Sequence, residues 1–172
     1  TALQGSWATG GALNTARFNL GGTGTQTSAL AFGGDANPPR TGATESYDGA
    51  SWTEVNDLNT ARNSLAGGGT QTSSLAFGGQ IAPGATAVTE SWNGSNWTEV
   101  NDLNTARYSL AGAGTDNTSD LAFGGYTGTA RTGATESWNG TNWTEVNDLN
   151  TARNSVAGTG IVTAALAFGG ST

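Results

Sequence analysis

The sequence predicts an all-β fold assembled from tandem repeats, and three observations carry that expectation. The phrase LNTAR begins at Leu13, Leu58, Leu103 and Leu149, and LAFGG begins at Leu30, Leu75, Leu121 and Leu166, so two landmarks advance together by 45 or 46 residues. A tryptophan stands six residues before each LNTAR, at Trp7, Trp52, Trp97 and Trp143. Finally, 28 of the 172 residues are glycine, a residue that costs roughly 1 kcal/mol per interior helix position relative to alanine. No window of ten or more residues carries a helical apolar stripe.

Each period parses into four short strands. "NSLAGGGT" (63–70) is small and apolar, suited to a crowded inner position, and "SSLAFGG" (73–79) ends in a glycine doublet that breaks the strand. A loop of variable chemistry follows, then "TESW" (89–92). Asn93-Gly94 predicts a type I′ hairpin turn, as do Asp48-Gly49 and Asn139-Gly140 in the neighbouring copies. "NWTEV" (96–100) then alternates apolar and polar residues with the period of a strand. Four antiparallel strands in about 45 residues is the size of one β-propeller blade. The expected units are residues 18–62, 63–107, 108–153, and a composite blade from 154–172 plus 1–17, within a single domain spanning 1–172.

The glycine doublet, the aromatic at Tyr47, Trp92 or Trp138, and the tryptophan five residues later resemble the kelch repeat. The glutamate two before that aromatic and the arginine closing LNTAR fit the same pattern, and the likeness covers essentially the whole chain. The resemblance implies a kelch-type β-propeller, related in fold to the central domain of galactose oxidase. It also implies rings of six to eight blades, so the four repeats here lead to the expectation of an eight-bladed ring of two chains, a homo-oligomer closed by its composite blades. A compact four-bladed monomer, or a piece of a longer array, is the alternative. Having no methionine, the chain is expected to be processed, trimmed or excised.

Composition excludes several classes of chemistry. There is no cysteine and no histidine, so disulfides, thiolate and imidazole metal sites, and Ser-His-Asp catalysis are ruled out. The copper site of galactose oxidase, built from His and Tyr with a Tyr–Cys crosslink, has no counterpart, and the expectation is no cofactor, no metal and no catalytic site. A net charge of −7, with arginine the sole source of positive side chains, argues against nucleic acid and anionic membranes as partners. No apolar run approaches the roughly 20 residues that span a bilayer as a helix.

The charges repeat with the blades. Arg17, Arg62, Arg107 and Arg153 hold one repeat position, and Glu45, Glu90 and Glu136 another. A catalytic carboxylate is needed once rather than once per blade, so these are read as structural Arg–Glu bridges. Trp7, Trp52, Trp97 and Trp143 are read as packing between blades, whereas Tyr47, Trp92 and Trp138, beside the hairpin turns, are expected to be more exposed. "DNTSD" (116–120) offers oxygen ligands for calcium, and Asn93-Gly94-Ser95 and Asn139-Gly140-Thr141 match the glycosylation sequon.

What varies between copies is the nine-residue loop after the glycine doublet, 35–43, 80–88 and 126–134. Arg40, Tyr126 and Arg131 in these loops are the candidate ligand-binding residues. The expected function is a non-catalytic binding or scaffold module. Closely similar tandem blades resemble those of extracellular or virion-attached proteins, which makes a glycan or surface receptor the expected ligand. The second reading is a purely structural repeat fragment or an engineered propeller without a ligand, and the weakest is a carboxylate-based glycoside-acting enzyme.

Overall fold

A computed structural model describes residues 9–37 and 39–172, so Trp7 lies outside the described residues. The described residues are all-β. The first sheet holds β1 (Gly21–Thr25), β2 (Ser28–Phe32), β3 (Thr44–Tyr47) and β4 (Trp52–Val55) in that order, all antiparallel. The second holds β5 (Ala66–Thr70), β6 (Ser73–Phe77), β9 (Thr89–Trp92) and β10 (Trp97–Val100), and the third β11 (Ala111–Asp116), β12 (Ser119–Phe123), β13 (Thr135–Trp138) and β14 (Trp143–Val146). A fourth unit is a two-stranded sheet of β15 (Asn154–Ile161) and β16 (Ala164–Ser171). The second variable loop forms a small hairpin of its own, β7 (Gln80–Ile81) with β8 (Gly84–Ala85). These repeated four-stranded sheets are compatible with a β-propeller-like repeat.

Register is held constant from blade to blade. The glutamate of the third strand always faces the alanine of LAFGG: Ala31 with Glu45, Ala76 with Glu90, Ala122 with Glu136. The extra residue that lengthens the third repeat does not disturb this, because it is taken up as a bulge between Gly114 and Asp116 at the end of β11.

Glycine on the innermost strands sets how closely blades approach. A Cβ at Gly67 would fall 2.5 Å from the Phe32 ring and 2.7 Å from the Leu75 carbonyl, and one at Gly112 would fall 2.6 Å from the Phe77 ring. The strand following therefore lies flat on the preceding phenylalanine. The core is accordingly divided: Leu30, Phe32, Ala76 and Trp97 pack between the first two sheets, Phe77, Ala122 and Trp143 between the next two, and Leu121, Phe123 and Val156 at the last junction. Each blade buries apolar surface only against its neighbours, as stacked repeats do.

Backbone bonds sew the blades together as well. Asn19, Ser64, Ser109 and Ser155 all adopt positive φ (51–54°), and the N–H of each serine donates to the carbonyl of the residue before it in this series, at 2.7, 2.8 and 2.8 Å. The hairpin turns differ from the type I′ expectation. Strands end at Trp92 and Trp97, leaving a four-residue connection in which Gly94 has φ of 91° and Asn93 does not cross into positive φ. Asn93 acts through its side chain instead, its Oδ1 accepting the N–H groups of Ser95 and Asn96, both at 2.9 Å. This side-chain turn satisfies two donors that a two-residue turn would not present.

Candidate functional site

The recurring charges meet across the blade junctions. Arg17 pairs with Glu45, Arg62 with Glu90, and Arg107 with Glu136 at 3.1 Å, every one of these side chains fully buried. The arginine belongs to the link leaving one blade and the glutamate to the third strand of the next. Each glutamate is caught by a cradle of donors from that link. Glu90 accepts the Asn59 N–H at 2.7 Å, the Asn59 Nδ2 at 2.9 Å and the Thr60 N–H at 3.3 Å in addition to Arg62, and Glu45 and Glu136 repeat this with Asn14/Thr15 and Asn104/Thr105. Burial pulls the Arg62 guanidinium below its usual range, and Glu90 opposes that pull. Burial would raise Glu45, but the Asn14 N–H and Arg17 more than offset it, so the carboxyl lies below the ordinary range. The cradles were not legible in advance, although the Asn-Thr of LNTAR was on view as the repeated signal.

The tryptophans divide differently from the expectation. Trp92 and Trp138 are 1% and 2% exposed, because they pack against the preceding sheet, Trp92 in a cluster with Leu30 and Phe32 and Trp138 in one with Leu75 and Phe77, while their indole N–H groups donate to the Gln71 and Asn117 carbonyls of their own blade's inner hairpin at 2.9 and 3.0 Å. Trp97 packs edge-on to Phe32 at 5.1 Å, and Trp143 to Phe77 at 5.0 Å. Trp52 remains half-buried beside Tyr47, with ring centroids 4.9 Å apart.

The three loop candidates lie in the same rim of loops but do not converge. Arg40 is part-buried and donates to the Gln80 Oε1 of the next loop at 3.1 Å. Tyr126 packs against Tyr108, ring centroids 5.5 Å apart, and forms a backbone bridge with Arg131. The exposed Arg131 reaches Asn154 Oδ1 at 3.2 Å and Ser171 Oγ at 3.0 Å. Each arginine thus ties its loop to the following blade, so the loops form a rim rather than separate fingers.

The aspartates of 116–120 do not form a cation site. Asp116 is bound by Thr118, through its N–H at 2.8 Å and its hydroxyl at 2.5 Å, while Asp120 turns inward and is fully buried. Among the described residues no group of three or more Asp or Glu lies together in the manner of a metal site. Asp120 was missed in the sequence as a core residue. It stands where the other repeats have Ala29, Ser74 and Ala165, its Oδ2 has no hydrogen-bond partner, and burial drives its carboxyl well above the ordinary range. The Oδ2 fits only because residue 68 is glycine, where a Cβ would fall 2.0 Å away.

Clefts occur on the outward end of the first blade, about 530 Å³ beside Gly10, Tyr47 and Trp52, and about 380 Å³ beside Gly22, Ala29, Ala31 and Trp52. No protein-family model matches the chain, and no curated protein sequence matches it.

Proposed function

We propose that the chain is a non-catalytic β-propeller scaffold of kelch type, which self-associates to complete its ring and presents its rim of variable loops to a ligand such as a glycan or surface receptor. The assembly we propose is the eight-bladed ring of two chains. One observation carries this reading: among the described residues the two ends of the blade stack are complementary and uncovered. Leu166 and Phe168 are 60% and 49% exposed, whereas their repeat equivalents Leu30, Phe32, Leu75 and Phe77 are at most 1% exposed. At the other end, a Cβ on Gly22 would meet nothing closer than the Leu30 carbonyl at 3.4 Å, while its equivalents Gly67 and Gly112 lie under a phenylalanine. The cleft there, beside Trp52, has the position that Phe32 occupies against Gly67 and Trp97. Exposed apolar surface of this kind marks an association face.

Size-exclusion chromatography with light scattering tests the assembly. A mass about twice 17.2 kDa is expected, and a folded monomer at micromolar concentration removes the ring. A glycan-array screen tests the loop rim, with loss of a specific signal on Arg40→Ala and Tyr126→Ala expected; a signal indifferent to both substitutions removes the rim as the binding surface.

A further inference from the structure

Among the described residues three copies of the glutamate cradle are filled and a fourth is empty. Asn150, Thr151 and Arg153 repeat Asn59, Thr60 and Arg62 in the LNTAR that follows the third blade, and among the described residues they meet no carboxylate. Arg153 instead donates from Nη1 to the Gly169 carbonyl at 2.6 Å and from Nε to the Thr151 carbonyl at 3.4 Å, and it remains partly exposed. Its equivalent Arg62 holds Glu90 and donates to the Ala76 carbonyl at 3.1 Å. The missing glutamate belongs on a third strand. In each complete blade that strand lies along the LAFGG strand, with its glutamate opposite the alanine. Among the described residues β16 pairs with β15 alone, so the edge of Ala164–Ser171 that would receive a third strand is free and exposed.

We propose that this edge and the Asn150–Arg153 cradle together form an acceptor site for an extended strand of a second polypeptide, of the type Thr-Glu-Ser-aromatic. The strand runs antiparallel to β16. By the register of the complete blades its threonine lies opposite Phe168, its glutamate opposite Ala167, its serine opposite Leu166 and its aromatic residue opposite Ala165. Main-chain bonds to the edge supply affinity, and capture of the carboxylate by Arg153, Asn150 and the Thr151 N–H supplies specificity. Among the described residues the three Thr-Glu-Ser strands are engaged in their own blades, and the sequence shown has no fourth Thr-Glu-Ser. The inference rests on the propeller reading above and adds what the fourth blade must recruit.

The test is calorimetric titration of the whole chain with a synthetic peptide of residues 133–146, GATESWNGTNWTEV, which carries a third and fourth strand. Saturable binding is expected, weakened about tenfold when the peptide carries Glu136→Gln, the loss anticipated for charge-assisted hydrogen bonds. Arg153→Gln in the protein should weaken the native peptide similarly, and combining both changes should cost little more than either alone. Because the peptide substitution leaves the protein untouched, misfolding cannot produce the result. Equal affinity for both peptides, or no binding, overturns the acceptor site. A two-chain mass without peptide binding overturns the acceptor and leaves the ring standing, whereas peptide binding by a monomer retains the acceptor and overturns the ring.

Discussion

Replacing Glu90 by alanine should destabilise the protein far more than replacing Glu99, although the two face each other across the same strand pair. Glu90 is fully buried and Glu99 is exposed. Removing the Glu90 carboxylate leaves Arg62 desolvated, with only the Thr60 and Ala76 carbonyls as acceptors, both at 3.1 Å. It also strips the Asn59 and Thr60 N–H groups of their acceptor. Breaking a buried pair by deleting one partner costs about 3–5 kcal/mol, while an exposed substitution stays within roughly 0.5 kcal/mol. At about 2–4 °C per kcal/mol for a chain of this size, Glu90→Ala should melt roughly 6–20 °C lower and Glu99→Ala within about 2 °C of the parent. Differential scanning calorimetry at neutral pH reads both. Equal melting temperatures would refute the argument that the blade junctions are held by these buried pairs.

Four further outcomes follow from the same geometry. Gly67→Ala should cost about 1–3 kcal/mol in thermal unfolding, since its Cβ falls 2.5 Å from the Phe32 ring; Gly22→Ala, which meets only the Leu30 carbonyl at 3.4 Å, should leave the fold intact yet weaken self-association about tenfold or more in sedimentation, and unchanged association would count against Phe168 docking there. Asp120→Ala should stabilise by about 1–3 kcal/mol through removal of an unpaired buried oxygen. Because the folded-state carboxyl is raised, its contribution is fully present below the ordinary aspartate range and is lost as pH rises through the folded value; the gain from Asp120→Ala should therefore be smallest in acid and grow as pH rises, and a pH-independent gain in denaturant titrations would contradict this. Gly68→Thr alone should be destabilising, but together with Asp120→Ser it rebuilds the hydroxyl pair that Thr23 and Ser74 form at 2.7 Å, so a double-mutant cycle should show strong positive coupling, and simple additivity would refute the pairing.

The sequence by itself determined the strands, their repeat and their order within a blade, because these follow from local information: period-two alternation, glycine punctuation and a phrase recurring every 45 or 46 residues. Even the one-residue insertion was visible there, and folding merely absorbed it as a bulge. The turn at Asn93-Gly94 was legible as a turn but not in its type, since the asparagine contributes a side-chain acceptor rather than a left-handed backbone. What only the tertiary structure decided lies between blades. Tyr47, Trp92 and Trp138 hold one position in the repeat, yet Trp92 and Trp138 pack against a preceding sheet, while Tyr47, in the first sheet of the described residues, has none there and stays half-exposed. Asp120 reads as a loop carboxylate until β12 turns it against Gly68 of the neighbouring blade. Arg153 reads as a fourth copy of Arg62, and only the packing separates them: among the described residues three arginines have a following third strand to bind and the fourth does not. A repeat encodes equal local structure, but identical residues meet different neighbours wherever the adjoining unit differs.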